Sequence, residues 1–130
     1  MNHKDFDMLV KKRFVSCLKL LQNKSDEYSR GQDKLHNFKK AAKSRNITPE
    51  RALDGMMLKH LVSIDDIIND IDNGKIPTKQ TLSEKITDII NYLVLLEALI
   101  TERIEEERLD ELYCKRYLPG GKLCQHYPKD

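Results

Sequence analysis

Apolar residues recur at steps of three and four positions along most of the chain, the spacing that places them on one side of an α-helix. Polar stretches and the helix-ending residues glycine and proline divide this pattern into four segments. Because the sequence carries no β-hairpin signal, we predict an all-α fold. The predicted helices run from Asp5 to about Gln22, from Asp33 to about Ser44, from Thr48 to about Asp72, and from Thr81 or Ser83 towards Tyr117.

The third helix has the clearest boundaries. Thr48 can cap its first turn, and Pro49 stands where no amide donor is needed. Glu50 places a negative charge near the positive end of the helix dipole. Asn73 and Gly74 predict the end of this helix.

The apolar stripes of the second, third and fourth helices predict a common core. We expect the inward side chains to be Leu35, Phe38, Ala41 and Ala42 in the second helix, Met57, Leu61, Ile64, Ile68 and Ile71 in the third, and Leu82, Ile86, Ile89, Leu93, Leu96 and Ile100 in the fourth.

The fourth helix is long for so small a protein. Its full extent is ~55 Å at ~1.5 Å per residue, so we expect it to break or to project into a partner. Ile104, Leu109 and Leu112 lie beyond the predicted core and need cover. We therefore predict a homodimer or a higher homo-oligomer.

Size and composition predict a single domain. The 130 residues fit one helical unit over residues 1–118, followed by a polar tail over residues 119–130. A formal net charge of +2 does not favour DNA binding, and we expect no sequence-specific nucleic-acid partner. No apolar stretch approaches the ~20 residues of a membrane span, and an odd number of cysteines favours reduced thiols in a cytoplasmic protein.

The fourth helix also carries the strongest candidate chemistry. Glu84, Asp88 and Asn91 share one helical face beside a markedly apolar run, and burying a carboxylate is costly unless it is paired or metal-bound. Two carboxylates one turn apart can hold Mg²⁺ while phosphates and water complete its shell. His60 on the third helix is expected near the same cavity. The alternatives are a structural polar stripe and a hydrogen-bonded core histidine.

A second candidate region surrounds the turn between the first two helices. Its acidic, basic, amide and aromatic side chains suit a nucleotide. Lysine and arginine neutralise phosphates, an amide hydrogen-bonds to the edge of the nucleobase, and an aromatic ring stacks on that nucleobase. An equally simple interpretation is a solvated connection with Phe38 in the core. The candidate residues are Glu27, Tyr28, Arg30, Lys34, His36, Asn37 and Lys39.

The C-terminal tail offers weaker signals. Cys114, Cys124 and His126 do not have the spacing of a compact zinc site, and a fourth ligand is missing. The glycines near residue 120 do not form a phosphate-binding P-loop.

Three segments, residues 26–42, 57–64 and 84–93, resemble the nucleotide-modification-associated domain that is common in phage genomes. Over roughly residues 10–104 the chain is similar to that domain, which is related to the MazG-like and dimeric dUTPase-like pyrophosphohydrolases. The resemblance implies a four-helix core of MazG-like type and Mg²⁺-dependent cleavage of a nucleoside triphosphate. The segments also contain three further candidate nucleotide-binding residues, Lys59, Asn91 and Tyr92.

The family motifs carry over only in part. Asp88 matches the aspartate of the second metal-binding motif, Glu-x-x-Asp, and Lys85 stands at that motif's glutamate position, so Glu84 is the neighbouring acid that would take its place. The first Glu-x-x-Glu motif is missing, or is replaced by Glu27, His60 or Asp66.

Three functions follow as alternatives. In a pyrophosphohydrolase, Glu84 and Asp88 hold Mg²⁺ and His60 or another acid orients the attacking water. In a sequestering protein, the same region binds a signalling nucleotide without cleaving it. In a helical assembly protein, the long fourth helix mediates oligomerisation and the polar stripe gives specificity.

Overall fold

The computed structural model describes the backbone of residues 1–28 and 33–117, and the side chains of residues 1–23 and 33–113. Within these ranges the chain forms four α-helices and no β-strand, which confirms the all-α prediction. Their bounds are α1 His3–Tyr28, α2 His36–Arg45, α3 Pro49–Asp72 and α4 Lys79–Tyr117.

The boundaries of α3 are the predicted ones. The Thr48 hydroxyl oxygen accepts a hydrogen bond from the Arg51 amide at 3.2 Å, and Pro49 occupies the first helical position. At the other end, Asn73 donates its amide to the Asn69 carbonyl. Gly74 follows with a φ of 80°, a left-handed conformation that favours glycine.

Capping also explains why the other boundaries differ from the prediction. The carboxylate of Asp33 accepts the Leu35 amide at 2.9 Å, so it organises the turn before α2 rather than capping the helix itself. The Thr78 hydroxyl accepts the Thr81 amide at 3.0 Å, so α4 begins at Lys79, earlier than predicted. Helix α1 runs to Tyr28, past its predicted end.

The core lies where α2, α3 and α4 meet. Among the described helices that share an extended contact, α1 is paired only with α4. Leu53 is fully buried at the centre, and the Phe38 ring meets Tyr92 edge-on with a centroid distance of 6.4 Å. The buried cluster consists of Leu35, Phe38, Leu53 and Leu99.

Two ionic contacts tie α4 to the helices beneath it. The Arg103 guanidinium donates to both carboxylate oxygens of Glu50 on α3, at 2.7 and 2.8 Å. The Lys39 ammonium of α2 lies 3.0 Å from the Asp33 carboxylate and 2.8 Å from that of Glu102 on α4. These contacts lower the pKa of Glu50 and raise that of Lys39.

The predicted inward stripes are wrong in part. On α4, Leu82, Leu93 and Ile100 are 41%, 50% and 42% exposed, because the helix packs through the opposite side. On α3, the stripe is buried near Met57 but not towards the C-terminal end, where the side chains find no cover. The exposed residues there are Leu61, Ile68 and Ile71.

Helix α4 continues without a break for 39 residues, which is ~58 Å at ~1.5 Å per residue. Its side chains from Ile100 to Tyr113 are exposed. The helix therefore does not break, and its projection into a partner stays a prediction. None of the described helices is both long enough and apolar enough to cross a membrane.

Replacing Leu53 with alanine should lower the free energy of unfolding by ~2–5 kcal/mol, because it leaves a cavity at a fully buried position. Urea denaturation followed by circular dichroism measures this loss. Leu58→Ala is the matched control, since Leu58 lies on the same helix and is 59% exposed. Its loss should stay within ~0.5 kcal/mol, and equal losses in the two variants would contradict the assigned core.

Acid should weaken the fold partly through Glu50. Arg103 holds the pKa of Glu50 below its ordinary value of 4.5, so the stabilisation is present at neutral pH and is lost as the pH falls below that value. The unfolding free energy of Glu50→Gln should therefore fall less between pH 5 and pH 3 than that of the unmodified protein. Glu105→Gln, an exposed residue of α4, serves as the control and should follow the unmodified protein.

Candidate functional site

The core-facing side of α4 is partly polar. Thr87 and Asn91 are each only 6% exposed, and they are the buried polar residues of the described part of the chain. Asp88 lies between them with its side chain 15% exposed. Since buried polar groups are costly without hydrogen-bond partners, the neighbours of each side chain decide what this surface can do.

His60 and Asp88 form a pair between α3 and α4. The Nδ1 atom of His60 lies 3.3 Å from the Oδ2 atom of Asp88, and the two side chains are 14% and 15% exposed. A carboxylate in this position can accept a hydrogen bond from the imidazole ring and so orient it. The predicted approach of His60 to Asp88 is therefore present in the structure.

Tyr92 connects this pair to the apolar core. It lies one helical turn after Asp88, and its ring centroid is 5.0 Å from that of His60. Its other aromatic neighbour is Phe38 of α2, which places three rings in a row from the core to the polar pair. Aromatic side chains such as Tyr92 and His60 are of the kind that can stack on a planar ligand.

Asn91 carries a buried hydrogen-bond acceptor that lacks a donor among the described residues. This acceptor is the Oδ1 atom of its side chain. Leaving a buried polar atom unpaired typically costs ~1–3 kcal/mol. An atom of this kind is a reason to expect a ligand that supplies the donor.

Thr87 takes part in a polar contact between α4 and α1 that periodicity did not reveal. Arg13 of α1 donates to the Ser83 carbonyl at 2.7 Å and to the Thr87 hydroxyl at 2.5 Å. Thr87 in turn donates to the Ser83 carbonyl at 2.7 Å. Cys17 is buried beside this contact, and burial raises the pKa of its thiol more than Arg13 lowers it. These groups satisfy one another and have a structural role.

The remaining candidates lie apart from the His60–Asp88 pair or outside the described side chains. Glu84 is exposed, one turn before Asp88. Lys39 is held between two carboxylates, and its hydrogen bond lowers the pKa of Asp33. Lys34, Asn37 and Lys59 are exposed and His36 is half-buried, whereas the side chains of Glu27, Tyr28, Arg30, Cys114, Cys124 and His126 are not among those described.

The acids fit the implied Mg²⁺ only in part. No group of three or more histidine, cysteine or acidic residues is placed to hold a metal ion within the described ranges. Glu84 and Asp88 supply two carboxylates, one of which already faces His60. A cation here would take its other ligands from phosphate groups and water, as Mg²⁺ commonly does.

Comparison with known proteins gives no family: no family model, curated protein or solved structure matches this chain.

Asn91→Leu should leave the free energy of unfolding unchanged or increase it, because leucine has the same number of side-chain heavy atoms and removes the unpaired acceptor. Thr87→Val is the matched control at an equally buried position whose hydroxyl is fully engaged, and it should cost ~1 kcal/mol. Thermal and urea unfolding measure both. A loss of more than ~1 kcal/mol in Asn91→Leu would show that the amide already has partners.

Proposed function

We propose that this protein binds a nucleotide at the α3–α4 polar cluster, defined as His60, Asp88, Asn91 and Tyr92. The observation that carries the proposal is the unpaired, buried Oδ1 atom of Asn91, which lies on α4 within one helical turn of Asp88 and directly before Tyr92. The resemblance of three segments to a phage nucleotide-modification-associated domain supports a nucleotide rather than another planar ligand.

Each member of the cluster suits one part of a nucleotide. Asn91 presents an acceptor for an exocyclic amino group of a base. Tyr92 and His60 provide rings on which a base can stack. The carboxylate of Asp88 is an acceptor for a sugar hydroxyl group.

We assign phosphate binding to the exposed basic side chain that lies nearest in sequence to the cluster. Lys59 immediately precedes His60 on α3 and is exposed. Lys39 is less suited, because two carboxylates already occupy its ammonium group at 3.0 and 2.8 Å. Lys34, His36 and Asn37 of the α2 region, with Arg30, Glu27 and Tyr28 before it, remain proposed contacts for the rest of the ligand.

Binding without cleavage is the function that this geometry supports best. All four members of the cluster can act as binding groups without a metal ion, and Asn91 in particular has no part in acid–base chemistry. A protein of this design would sequester its nucleotide, such as a signalling nucleotide of a bacterial host. The proposal includes a cytoplasmic location, where such nucleotides occur, and a homo-oligomeric core of MazG-like type.

Hydrolysis is the second candidate, and the His60–Asp88 pair is the observation that favours it. An imidazole oriented by a carboxylate is a suitable general base for activating water. In a pyrophosphohydrolase, Glu84 and Asp88 would hold Mg²⁺, which neutralises charge on the phosphates. His60 would then accept the proton of the attacking water.

The experiment is incubation of the purified protein with a pool of nucleotides and Mg²⁺, followed by chromatography of the solution and of the denatured protein. We expect an intact nucleotide to be released only on denaturation. Asn91→Leu should reduce that recovery at least tenfold, whereas Asp110→Asn, at an exposed position of α4, should leave it unchanged.

The two candidate functions give different results in the same assay. Monophosphate and pyrophosphate in solution, lost in Asp88→Asn while binding persists, would establish hydrolysis. If the unmodified protein yields neither a retained nucleotide nor a product, the proposed function is wrong.

A further inference from the structure

Helix α2 and its flanks concentrate the positive charge of the chain. Residues 34–49 contain five lysine and arginine residues and no acid, although the formal net charge of the whole chain is only +2. One of the five, Lys39, lies between two carboxylates and is neutralised within the fold. Three others lie at the middle and the end of the helix, and we call them the α2 basic patch: Lys40, Lys43 and Arg45.

The α2 basic patch is exposed and has no counter-charge. All three side chains are exposed, and the ion pairs of the described residues include none of them. Other exposed cations do have a carboxylate partner close in sequence: Arg51 with Asp54, Lys75 with Asp70, and Arg108 with Glu105. A solvated helix face usually mixes both signs of charge, so a patch of one sign indicates a surface for an anionic partner.

Helix stability explains only part of this patch. Lys43 and Arg45 lie in the last turn of α2, where positive charge interacts favourably with the helix dipole. Lys40 lies before that turn, so the dipole gives no reason for a cation at this position. The absence of any acid from residue 34 to residue 49 is not a requirement of the dipole either.

The patch is separate from the α3–α4 polar cluster. Phe38 is the residue of α2 whose ring meets Tyr92 of that cluster. At ~100° per residue, Lys40 and Lys43 lie ~160° and ~140° from Phe38 around the helix axis. They are therefore on the far side of α2, and a nucleotide held at the cluster does not account for them.

We propose that the α2 basic patch binds the phosphate backbone of double-stranded DNA without reading its sequence. The three cations span ~8 Å of helix axis, a length over which a duplex presents about four phosphate charges. Lysine and arginine side chains that contact only phosphates give affinity without sequence information. This proposal does not depend on nucleotide binding.

The composition of α2 favours a duplex over the other anionic partners. No large apolar side chain of α2 is exposed, whereas protein interfaces depend on buried apolar and aromatic anchors. The exposed side chains of α2 also include no phenylalanine, tyrosine or tryptophan on which the bases of a single strand could stack. A duplex keeps its bases stacked inside and presents phosphates outside, which suits a patch that offers charge alone.

Fluorescence anisotropy of a short labelled DNA duplex, titrated with the full chain at several salt concentrations, tests the proposal. Three phosphate contacts predict a slope of about −3 for the logarithm of affinity against that of salt, and a dissociation constant on the order of 10–100 μM at ~20 mM salt. Lys40→Gln combined with Lys43→Gln should weaken binding at least tenfold and reduce the slope to about −1.

The charge-matched control is Lys19→Gln combined with Lys79→Gln. These exposed lysines lie on α1 and α4, and neither has an ion pair among the described residues. The control should keep at least half of the affinity, and far-UV circular dichroism should show that both double variants remain helical. Equal weakening in the two would overturn the proposal, because net charge rather than the patch would then determine binding.

Three further outcomes would also overturn the proposal. One is a duplex that the unmodified protein does not bind at ~20 mM salt. Another is tighter binding of polyglutamate or of a single-stranded oligonucleotide of the same length, which would indicate a different class of partner. The last is loss of nucleotide retention in the Lys40 and Lys43 double variant, which would make the patch part of the nucleotide site. Unchanged retention with weakened DNA binding is the expected result.

Discussion

The buried polar side chains of α4 constrain where the other three helices can lie. A hydroxyl, a carboxylate and an amide on the core side of one helix must each be matched, because water does not reach them freely. Arg13 of α1 satisfies Thr87, and His60 of α3 pairs with Asp88. The outer ion pairs, from α2 and α3 to the next turns of α4, extend the same alignment. Apolar burial drives the packing, and these polar matches select its register.

Asn91 is the exception to this matching, and its unpaired acceptor is the reason for proposing a ligand site here. Thr87, one turn earlier and equally buried, has a donor and an acceptor partner, which shows that the fold can satisfy a polar group at this depth. A buried acceptor left unpaired on α4, within one helical turn of Asp88 and Tyr92, costs stability. Sites that bind ligands commonly carry such costs, since the ligand supplies the missing partner.

The sequence predicted the helices better than it predicted their orientation. Capping chemistry is local, so Thr48, Pro49 and Gly74 were sufficient to locate α3. The orientation of α4 was not predictable from periodicity, because the members of its strongest apolar repeat differ in burial: Leu96 packs against the core, whereas Leu93 and Ile100 are exposed. The His60–Asp88 contact followed from the cost of a buried carboxylate, whereas the partner of Thr87 depended on a long-range contact to Arg13 that no local pattern encodes.

The proposed ligand site lies on the side of α4 that carries its buried polar side chains. The most direct test of the ligand site is the NMR signal of the Asn91 side-chain amide, identified by its absence in Asn91→Leu, during titration with a pool of nucleoside triphosphates. We expect a large shift of this signal as a nucleotide binds. Saturating nucleotide that leaves the Asn91 amide unmoved would contradict it.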